Sequence, residues 1–257
     1  MIINAKFLEH IIEVKKARKE KVSVIFKILL FLLSSKIICL FLTIVEYVIK
    51  IILILPIPFY ADLIKMFITY LPGTPHFLGN YLRAVYYSHK LKFLGKNVII
   101  DQGVIILYPE EVEIDTFTWI DKNVILGAKS MKIGKRVHVA QNVVISGGGS
   151  FSIGDYSCIA HSSAIVTSTD VPQNGYRASG PMAPIEQRHV VEKNVKIGKD
   201  VFVAMGARIL PGVEIGDGAV IGVSSLVKKN VPPWTVVFGS PAKPIGQREK
   251  VKYPDPD

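Results

Sequence analysis

Aliphatic residues recur at every sixth position in the stretch VKIGKDVFVAMGARILPGVEIGDGAVIGVSSLVKKNV near the end of the chain. These positions are Ile197, Val203, Ile209, Ile215, Ile221 and Val227. Neither the 3.6-residue period of a helix nor the two-residue period of a strand keeps them on one face over so long a stretch. A solenoid does, because each six-residue face ends in a turn and the next face begins in the same register. The pattern therefore predicts a parallel β-helix with three faces and about 18 residues per coil.

The same register extends backwards through the middle of the chain as triplets with a spacing of six inside each triplet. The triplets are Leu94, Ile100 and Ile106; Ile114, Ile120 and Leu126; Ile133, Val139 and Ile145; and Ile153, Ile159 and Ile165. Between triplets the spacing is seven or eight, so the extra residues fall at the same corner each time. We therefore expect about six coils over residues 94–231, interrupted by an excursion loop at 166–196.

The N-terminal part of the chain is apolar without the sixfold pattern. Residues 22–60 are more apolar than a surface helix requires, although Lys27, Lys36, Glu46 and Lys50 leave no charge-free run long enough to match a standard spanning helix. We predict an apolar helical, membrane-associated segment over residues 1–60, as a hairpin or an interfacial helix pair in which Glu46 and Lys50 pair at i,i+4. The alternative is a buried helical hairpin or an oligomer contact. A helical connector at 61–93 and a C-terminal tail at 232–257 complete the predicted organisation.

The net charge of +10 is concentrated near the N-terminus, where residues 1–36 hold eight lysines and arginines against three glutamates. The basic run KKARKEK at 15–21 precedes the apolar segment, a position typical of the cytoplasmic side of a membrane with anionic lipids. We therefore expect the protein at the cytoplasmic face of the inner membrane, in contact with lipid. A nucleic-acid partner is not expected, because its basic residues would spread over the folded body. Cys39 and Cys158 lie in different parts of the chain and indicate no disulfide.

The sixfold register and the ending PPWTVVFGSPAKPI resemble the hexapeptide-repeat acyltransferases over residues 94–248. The resemblance implies a mainly β fold, a left-handed parallel β-helix whose hand is an exception to the right-handed crossover rule. It also implies a homotrimer with sites in the clefts between subunits.

Side chains that point outward support association between copies. The residue before each inward aliphatic residue points out, because side chains alternate along a strand. On the second face these residues are Ile99, Trp119, His138, Cys158, Phe202 and Val220, and on the third Ile105, Ile125, Val144, Ala164, Arg208 and Leu226. Two apolar outer faces are too much exposed apolar surface for a monomer, so we expect a homotrimer that packs through them.

Acyl transfer from a thioester needs a base for the nucleophile's proton, and a neutral imidazole suits this role. His138 is the one ionisable member of its outward column, and its context in RVHVAQ is similar to that of the base histidine in a sugar-acetylating branch of the family. A packed interface histidine is the alternative for His138. His161 in IAHSSA is a second candidate base, whereas His189 is expected to be solvated or structural. Asp170 is expected to orient the histidine or hold a sugar hydroxyl, or simply to cap its loop.

The remaining site residues are predicted for the two substrates. Because long loops in compact domains are often functional, the excursion supplies the predicted acceptor contacts Tyr176, Arg177, Glu186 and Arg188. The resemblance implies that the pantetheine arm of acetyl-CoA follows small residues of the later coils, with lysines near the phosphates. These predicted positions are Ala204, Gly206, Gly222, Ser224, Lys228, Lys229 and Lys243.

The expected function is a CoA-dependent acetyltransferase that acts on a sugar hydroxyl or amine in surface polysaccharide biosynthesis, such as O-antigen or capsule. The acceptor is expected to be nucleotide-linked or lipid-linked, and it attacks the thioester directly, with no metal. One alternative is a zinc enzyme of the γ-carbonic anhydrase type, which needs three histidines at a subunit interface, whereas this chain has no H-x4-H pair. The other is a non-catalytic trimeric scaffold at the membrane.

Overall fold

Four α-helices precede the coils in the part of the chain that can be described. The structure is a computed structural model that describes residues 9, 12, 13, 24–54, 58–72 and 78–252, so the predicted basic run at 15–21 lies outside the described residues. The helices are α1 (Val24–Ser34), α2 (Lys36–Ile54), α3 (Pro58–Tyr70) and α4 (Leu78–Lys90).

Short strands follow the helices. In chain order the first are β1 (Phe93–Leu94), β2 (Ile99–Ile100), β3 (Ile105–Ile106), β4 (Val112–Ile114), β5 (Trp119–Ile120), β6 (Ile125–Ile133), β7 (His138–Val139), β8 (Val144–Ile153), β9 (Cys158–Ile159) and β10 (Ala164–Val166). The others are β11 (Ser168–Asp170), β12 (Val190–Glu192), β13 (Val195–Ile197), β14 (Phe202–Val203), β15 (Arg208–Ile209), β16 (Glu214–Ile215), β17 (Val220–Ile221), β18 (Leu226–Val227), β19 (Thr235–Phe238) and β20 (Lys243–Gln247). Three 3-10 turns occupy Pro109–Glu111, Gly180–Met182 and Ile185–Gln187.

The strands stack in parallel into a three-faced β-solenoid, which confirms the predicted register. On the first face Leu94, Ile114, Ile133, Ile153, Ile197 and Ile215 pair in succession. The aliphatic residues of the second and third faces stack in the same manner. Nearly all of these side chains are fully buried and form one continuous core. Their burial is the main force that holds the coils together.

The solenoid has about seven turns, one more than the six predicted. Val231 bridges to Ile215 on the first face, and Val237 pairs with Ile221 on the second. The additional turn was missed because Val231 follows Val227 at a spacing of four positions rather than six. The regular period therefore breaks at this corner although the stacking continues.

Tight corners let successive coils stack closely. Asn123 and Asn142 occupy corners with φ near +60°, a left-handed conformation that asparagine tolerates well. Gly198 serves a different need, since a Cβ atom there would lie 2.2 Å from Oδ1 of Asp217 on the next coil. That carboxylate accepts a hydrogen bond of 2.8 Å from the amide of Lys199. The glycine therefore permits a contact between coils that a side chain would block.

Two antiparallel elements depart from the solenoid. Strands β11 and β12 form a two-stranded ribbon at the base of the excursion between β10 and β13. At the C-terminal end β20 turns back and pairs antiparallel with β19, the last strand of the second face. The excursion thus leaves and re-enters the stack without disturbing it, because β8 pairs with both β10 and β13.

A buried arginine on α4 joins the helices to the first coil. Arg83 is fully buried and donates from Nε to the Ile100 carbonyl at 2.8 Å and from Nη1 to the Ile68 carbonyl at 3.1 Å. Its Nη2 donates to Oδ1 of Asn80 at 2.6 Å and lies 3.7 Å from Oδ1 of Asp101. One guanidinium therefore satisfies groups on α3, α4 and β2.

Helix α2 buries a charged side chain and exposes apolar ones, the reverse of an ordinary surface helix. Glu46 is only 5 % exposed and accepts a hydrogen bond of 2.9 Å from the hydroxyl of Tyr81 on α4. Burial, together with the neighbouring carboxylate, raises the pKa of that hydroxyl. The predicted pairing of Glu46 with Lys50 involves a side chain outside the described ones. The opposite face of α2 is exposed and apolar, with Ile37, Leu40, Phe41, Ile44, Tyr47, Val48 and Ile51.

None of the helices in the described residues has both the length and the apolarity needed to cross a membrane.

We expect Arg83→Met to destabilise the full-length protein by about 3–5 kcal/mol, because it leaves Asp101 buried without its cation. Urea unfolding measures this change. The matched control is Arg136→Met, whose guanidinium lies 4.7 Å from the Phe117 ring centroid at a half-buried site, and we expect it to cost about 1 kcal/mol or less. Equal losses for the two variants would contradict the structural role of Arg83.

Candidate active site

On the second face, the outward-pointing side chains of successive coils form a column in which His138 lies between Trp119 and Cys158. In the parallel register Trp119 pairs with His138, and His138 pairs with Cys158. Neighbouring strands of a sheet lie about 4.8 Å apart, so residues about twenty positions apart in sequence touch here. The Trp119 and His138 rings have centroids 6.0 Å apart and are tilted by 55°.

Asp121, His138 and Cys158 form a line of polar contacts. Nε2 of His138 is 3.1 Å from Oδ2 of Asp121, and Nδ1 is 3.8 Å from the Cys158 sulfur. The Asp121 side chain is 14 % exposed, whereas that of His138 is 45 % exposed. The carboxylate can only accept, so Nε2 carries the proton toward Asp121 and Nδ1 faces the thiol. The accessible edge of the imidazole is therefore held in one orientation.

The pKa of His138 is raised to about 9, chiefly by the hydrogen bond to Asp121 and then by the contact with Cys158, while partial burial opposes the shift. Because the folded protein favours the imidazolium, this group stabilises the fold fully below the unfolded pKa of about 6.5. That stability is lost as pH rises through about 9. The neutral ring, which is needed for a base, becomes the main form above the same value.

Sequence reasoning missed Asp121. It lies at the corner directly after β5 and has no periodic signal, because corner positions hold many residue types. The spacing in the sequence is a usable signal, because Asp121 precedes His138 by 17 positions and residues about one coil apart lie close together in a solenoid. Asp170, which was expected to orient the histidine, to hold a sugar hydroxyl or to cap its loop, accepts hydrogen bonds from Arg188, 3.0 Å from Nη2 and 3.2 Å from Nε. The carboxylate that contacts His138 within one chain is therefore Asp121.

His161, the second candidate base, lies at an exposed corner one coil beyond His138. Its carbonyl accepts a hydrogen bond of 3.0 Å from the amide of Gly206 on the following coil. His161 thus borders the small residues predicted for the CoA arm. His189 stacks on Tyr176 in the excursion, with centroids 5.4 Å apart.

Four of the predicted CoA contacts gather at one corner, between the second and third faces. Ala204 and Gly206 lie there on one coil, and Gly222 and Ser224 lie there on the next. A Cβ atom on Gly206, which has φ of +71°, would be 3.3 Å from Oγ of Ser224. Lys243 pairs with Phe238 in the C-terminal ribbon, and the Phe238 ring lies over Gly222.

The other two predicted lysines, Lys228 and Lys229, lie exposed at the next corner, after the third face. The structure therefore separates them from the small residues and from Lys243.

The predicted acceptor contacts all lie on the excursion loop between β11 and β12. Arg188 is held by Asp170, Tyr176 by the ring of His189, and Nε of Arg177 donates to the Gln187 side chain. Glu186 is exposed on the 3-10 turn Ile185–Gln187. The loop thus presents two cations and an aromatic ring whose positions are fixed by local contacts.

A groove of about 590 Å³ runs along the corner after the first face. It is lined by Gly134, Gly154, Gly198 and Gly216 and by Lys132. His138 is not among the residues that line it. Within the described ranges, no three His, Cys, Asp or Glu side chains converge as ligands for a metal ion, which is the cluster that the zinc alternative requires.

Comparisons with known proteins agree with this architecture. Residues 194–229 match the family described as bacterial transferase hexapeptide (six repeats). The chain is 32 % identical over 161 residues to dTDP-4-amino-4,6-dideoxy-D-glucose acyltransferase of Escherichia coli, which covers 62 % of this chain and 83 % of that protein. It is 27 % identical over 156 residues to the putative colanic acid biosynthesis acetyltransferase WcaF of E. coli K12, with 60 % and 69 % covered.

A solved structure adds a match in three dimensions. AntD, an N-acyltransferase from Bacillus cereus in complex with dTDP and 3-hydroxybutyryl-CoA, superposes with a TM-score of 0.61 at 26 % identity, covering 65 % of this chain and 88 % of that one. The E. coli dTDP-aminosugar acyltransferase matches over most of its length, and the solenoid register is the one these repeats require. From these findings we conclude that the chain belongs to the hexapeptide-repeat acyltransferase family, in its sugar O- and N-acetyltransferase branch.

Proposed function

We propose that this acyl-CoA-dependent acetyltransferase moves an acetyl group to a hydroxyl or amine of a nucleotide-linked or lipid-linked sugar. The observation that carries the proposal is the contact of 3.1 Å between Asp121 and His138 on an outward face. One similar protein is named for a dTDP-linked amino sugar, and another was solved with dTDP. The similarity to WcaF supports a role in surface polysaccharide synthesis, such as O-antigen or capsule.

His138 is the general base of the proposed reaction. Asp121 fixes the Nε2 proton, so the lone pair of Nδ1 is directed to the side bordered by Cys158. The acceptor's O–H or N–H takes up this position and gives its proton to Nδ1 as its oxygen or nitrogen attacks the thioester carbonyl. The carbon–sulfur bond then breaks, and the CoA thiolate leaves with the proton from the imidazolium.

Acetyl-CoA is proposed to lie along the corner between the second and third faces. The small residues Ala204, Gly206 and Ser224 leave room for a slender pantetheine arm to approach the backbone, and the Phe238 ring covers the fourth predicted position, Gly222. Of the three predicted lysines, Lys243 is the one beside the end of the second face, and Nη1 of Arg208 donates to the Gly206 carbonyl at 3.2 Å, so both cations border this path. Lys228 and Lys229 contact the phosphates only if the nucleotide end bends around the following corner.

The acceptor is proposed to bind under the excursion loop. Arg188 and Arg177 suit the phosphates of a nucleotide-linked sugar, and the exposed Tyr176 ring suits a sugar or a base. Asp170 holds Arg188 in position for this contact and accepts from a sugar hydroxyl with its remaining lone pairs. Glu186 lies beside them as a further acceptor of hydroxyl hydrogen bonds.

A homotrimer of left-handed coils completes the proposed site. Phe202 on the second face and Ile105 on the third are 42 % and 38 % exposed in one subunit. These exposed apolar side chains are covered when the second face of one subunit packs against another. His138 then faces a cleft between subunits.

The proposed location is the cytoplasmic face of the inner membrane, with α2 lying in the lipid interface. The exposed face of α2 is apolar from Ile37 to Ile51, at helical spacings of three and four, while Glu46 is turned inward to Tyr81. The exposed Lys36 at the start of the helix suits anionic headgroups. This arrangement brings the enzyme to a lipid-linked acceptor.

We expect His138→Gln to lower kcat/KM for acetyl transfer by about 10²–10⁴-fold, the usual contribution of a general base. Acetyl-CoA turnover with a dTDP-linked amino sugar, followed by thiol release, measures this. His161→Gln tests the alternative base and is expected to have a small effect, and His89→Gln on the exposed side of α4 is the matched control. Full activity of His138→Gln would contradict the proposed base, whereas the absence of turnover by the wild type would favour a non-catalytic scaffold.

The pH dependence provides a second test. In the wild-type enzyme we expect kcat/KM to rise with pH and level off above about 9, because the raised pKa of His138 keeps the ring protonated below that value. Asp121→Asn removes the main cause of the shift, so the midpoint moves toward about 6.5. NMR titration of the His138 ring gives the same quantity without turnover. An unchanged midpoint in Asp121→Asn would show that another group sets the profile.

We expect the double variant Phe41→Asp and Ile44→Asp to lose binding to vesicles of phosphatidylcholine and phosphatidylglycerol. Burial of each side chain in the interface contributes about 1.5–3 kcal/mol, so the partition coefficient falls by about 100-fold or more. Ile245→Asp on β20, an isoleucine that is 66 % exposed, is the matched control and keeps binding. Cosedimentation measures both, and equal binding by the two proteins would refute the proposed contact.

A further inference from the structure

The thiol of Cys158 is positioned at the one imidazole nitrogen that Asp121 leaves free. Its sulfur is 3.8 Å from Nδ1 of His138, and its main chain is in register with His138 on one side and Phe202 on the other. The side chain is half-buried on the outward face. The protein's other cysteine, Cys39, lies in α2, away from the solenoid.

A cysteine nucleophile is activated when its thiol contacts an imidazole that in turn contacts a carboxylate. The carboxylate holds the ring in one tautomer and orientation, and the second ring nitrogen takes the nucleophile's proton. Asp121 contacts Nε2 and Cys158 contacts Nδ1, so each ring nitrogen has the partner that this role requires.

Small residues lead from the C-terminal coils to this thiol. The corner position after the second face is Ala204 on one coil and Ala160 on the preceding coil, each joined to the next coil by a main-chain hydrogen bond of 2.8–2.9 Å, and the Phe238 ring covers Gly222 beyond them. Ala160 lies two residues after Cys158 on the same coil, and His138 lies one coil further. A slender thioester arm that follows these positions therefore reaches the Cys158 sulfur before it reaches the imidazole.

We propose that Cys158 is an acyl-accepting nucleophile, which takes the acyl group from acyl-CoA when no sugar is bound. This inference rests on the proposed use of acyl-CoA. The Cys158 thiolate adds to the thioester carbonyl while the proton resides on Nδ1 of His138. The bond between the carbonyl carbon and the CoA sulfur breaks, and the departing CoA thiolate takes that proton and leaves as the free thiol. The products are an acyl thioester on Cys158, neutral His138 and CoA.

The exchange needs no oxidant or further reactant. One thioester is replaced by another, so the reaction is close to balanced in free energy and runs in both directions. The acyl group stays beside His138 until an acceptor arrives or CoA returns. This route exists alongside direct attack by the sugar, because an acceptor bound at Nδ1 separates the imidazole from the thiol.

The test uses the full-length protein and acetyl-CoA alone, followed by intact mass measurement and peptide mapping. We expect one acetyl group per chain, on Cys158, released by neutral hydroxylamine as a thioester is. Cys39→Ser removes the other thiol and should be labelled like the wild type. Cys158→Ala and Cys158→Ser should not form the thioester, and His138→Gln should label about 10²-fold more slowly.

Isotope exchange distinguishes failure of this inference from failure of the proposed function. Labelled CoA should exchange into acetyl-CoA without a sugar in the wild type, and not in Cys158→Ala. If the wild type binds CoA and acetylates the sugar but shows neither labelling nor exchange, the inference about Cys158 is wrong and the proposed function stands. If the wild type neither binds CoA in calorimetry nor turns over acetyl-CoA, both are wrong.

Discussion

The main-chain hydrogen bonds between successive coils are the constraint on which the rest of the structure depends. They keep equivalent positions of neighbouring coils in register, so a side chain on one coil meets a defined side chain on the next. Asp121 and His138, 17 residues apart, and His138 and Cys158, 20 apart, become neighbours in this way. The excursion does not disturb the register, since Cys158 pairs directly with Phe202. The residues of the candidate site are therefore neighbours along the axis of the solenoid, although they are far apart in the sequence.

The sequence predicted the parts of the structure that burial controls. Inward positions such as Ile145 and Ile221 tolerate only aliphatic residues, so the sixfold pattern survives in every coil and identifies the fold. Corners carry no such restriction. Asp121 was therefore not recognised, and the shortened corner before Val231 hid the last turn. Arg83 could not have been predicted as a core residue, because its burial depends on carbonyls brought to it by two separate elements, α3 and β2.

The hydrogen bond between Asp121 and His138 has two opposing effects on His138 as a base. The contact with Asp121 fixes the ring so that Nδ1 faces Cys158, on the side proposed for the acceptor, and the same contact raises the pKa of His138 to about 9. The contact that would orient the proposed base therefore also lowers the fraction of molecules in which the ring is neutral at neutral pH. The Cys158 contact adds to the shift, and it is the contact that the proposed acceptor would replace. Binding of the acceptor is therefore expected to ease deprotonation of the ring at the moment when the base is needed.

The two ends of the solenoid are closed by different means. At the N-terminal end α4 and the buried Arg83 cover the first coil, and at the C-terminal end β20 runs against β19 in the opposite direction. A parallel ladder with free ends would be a template for adding further coils from other molecules, as in a growing fibril. The reversed strand offers the wrong polarity for such growth. The number of coils, and with it the length of any molecule that can lie along them, is consequently fixed within each polypeptide.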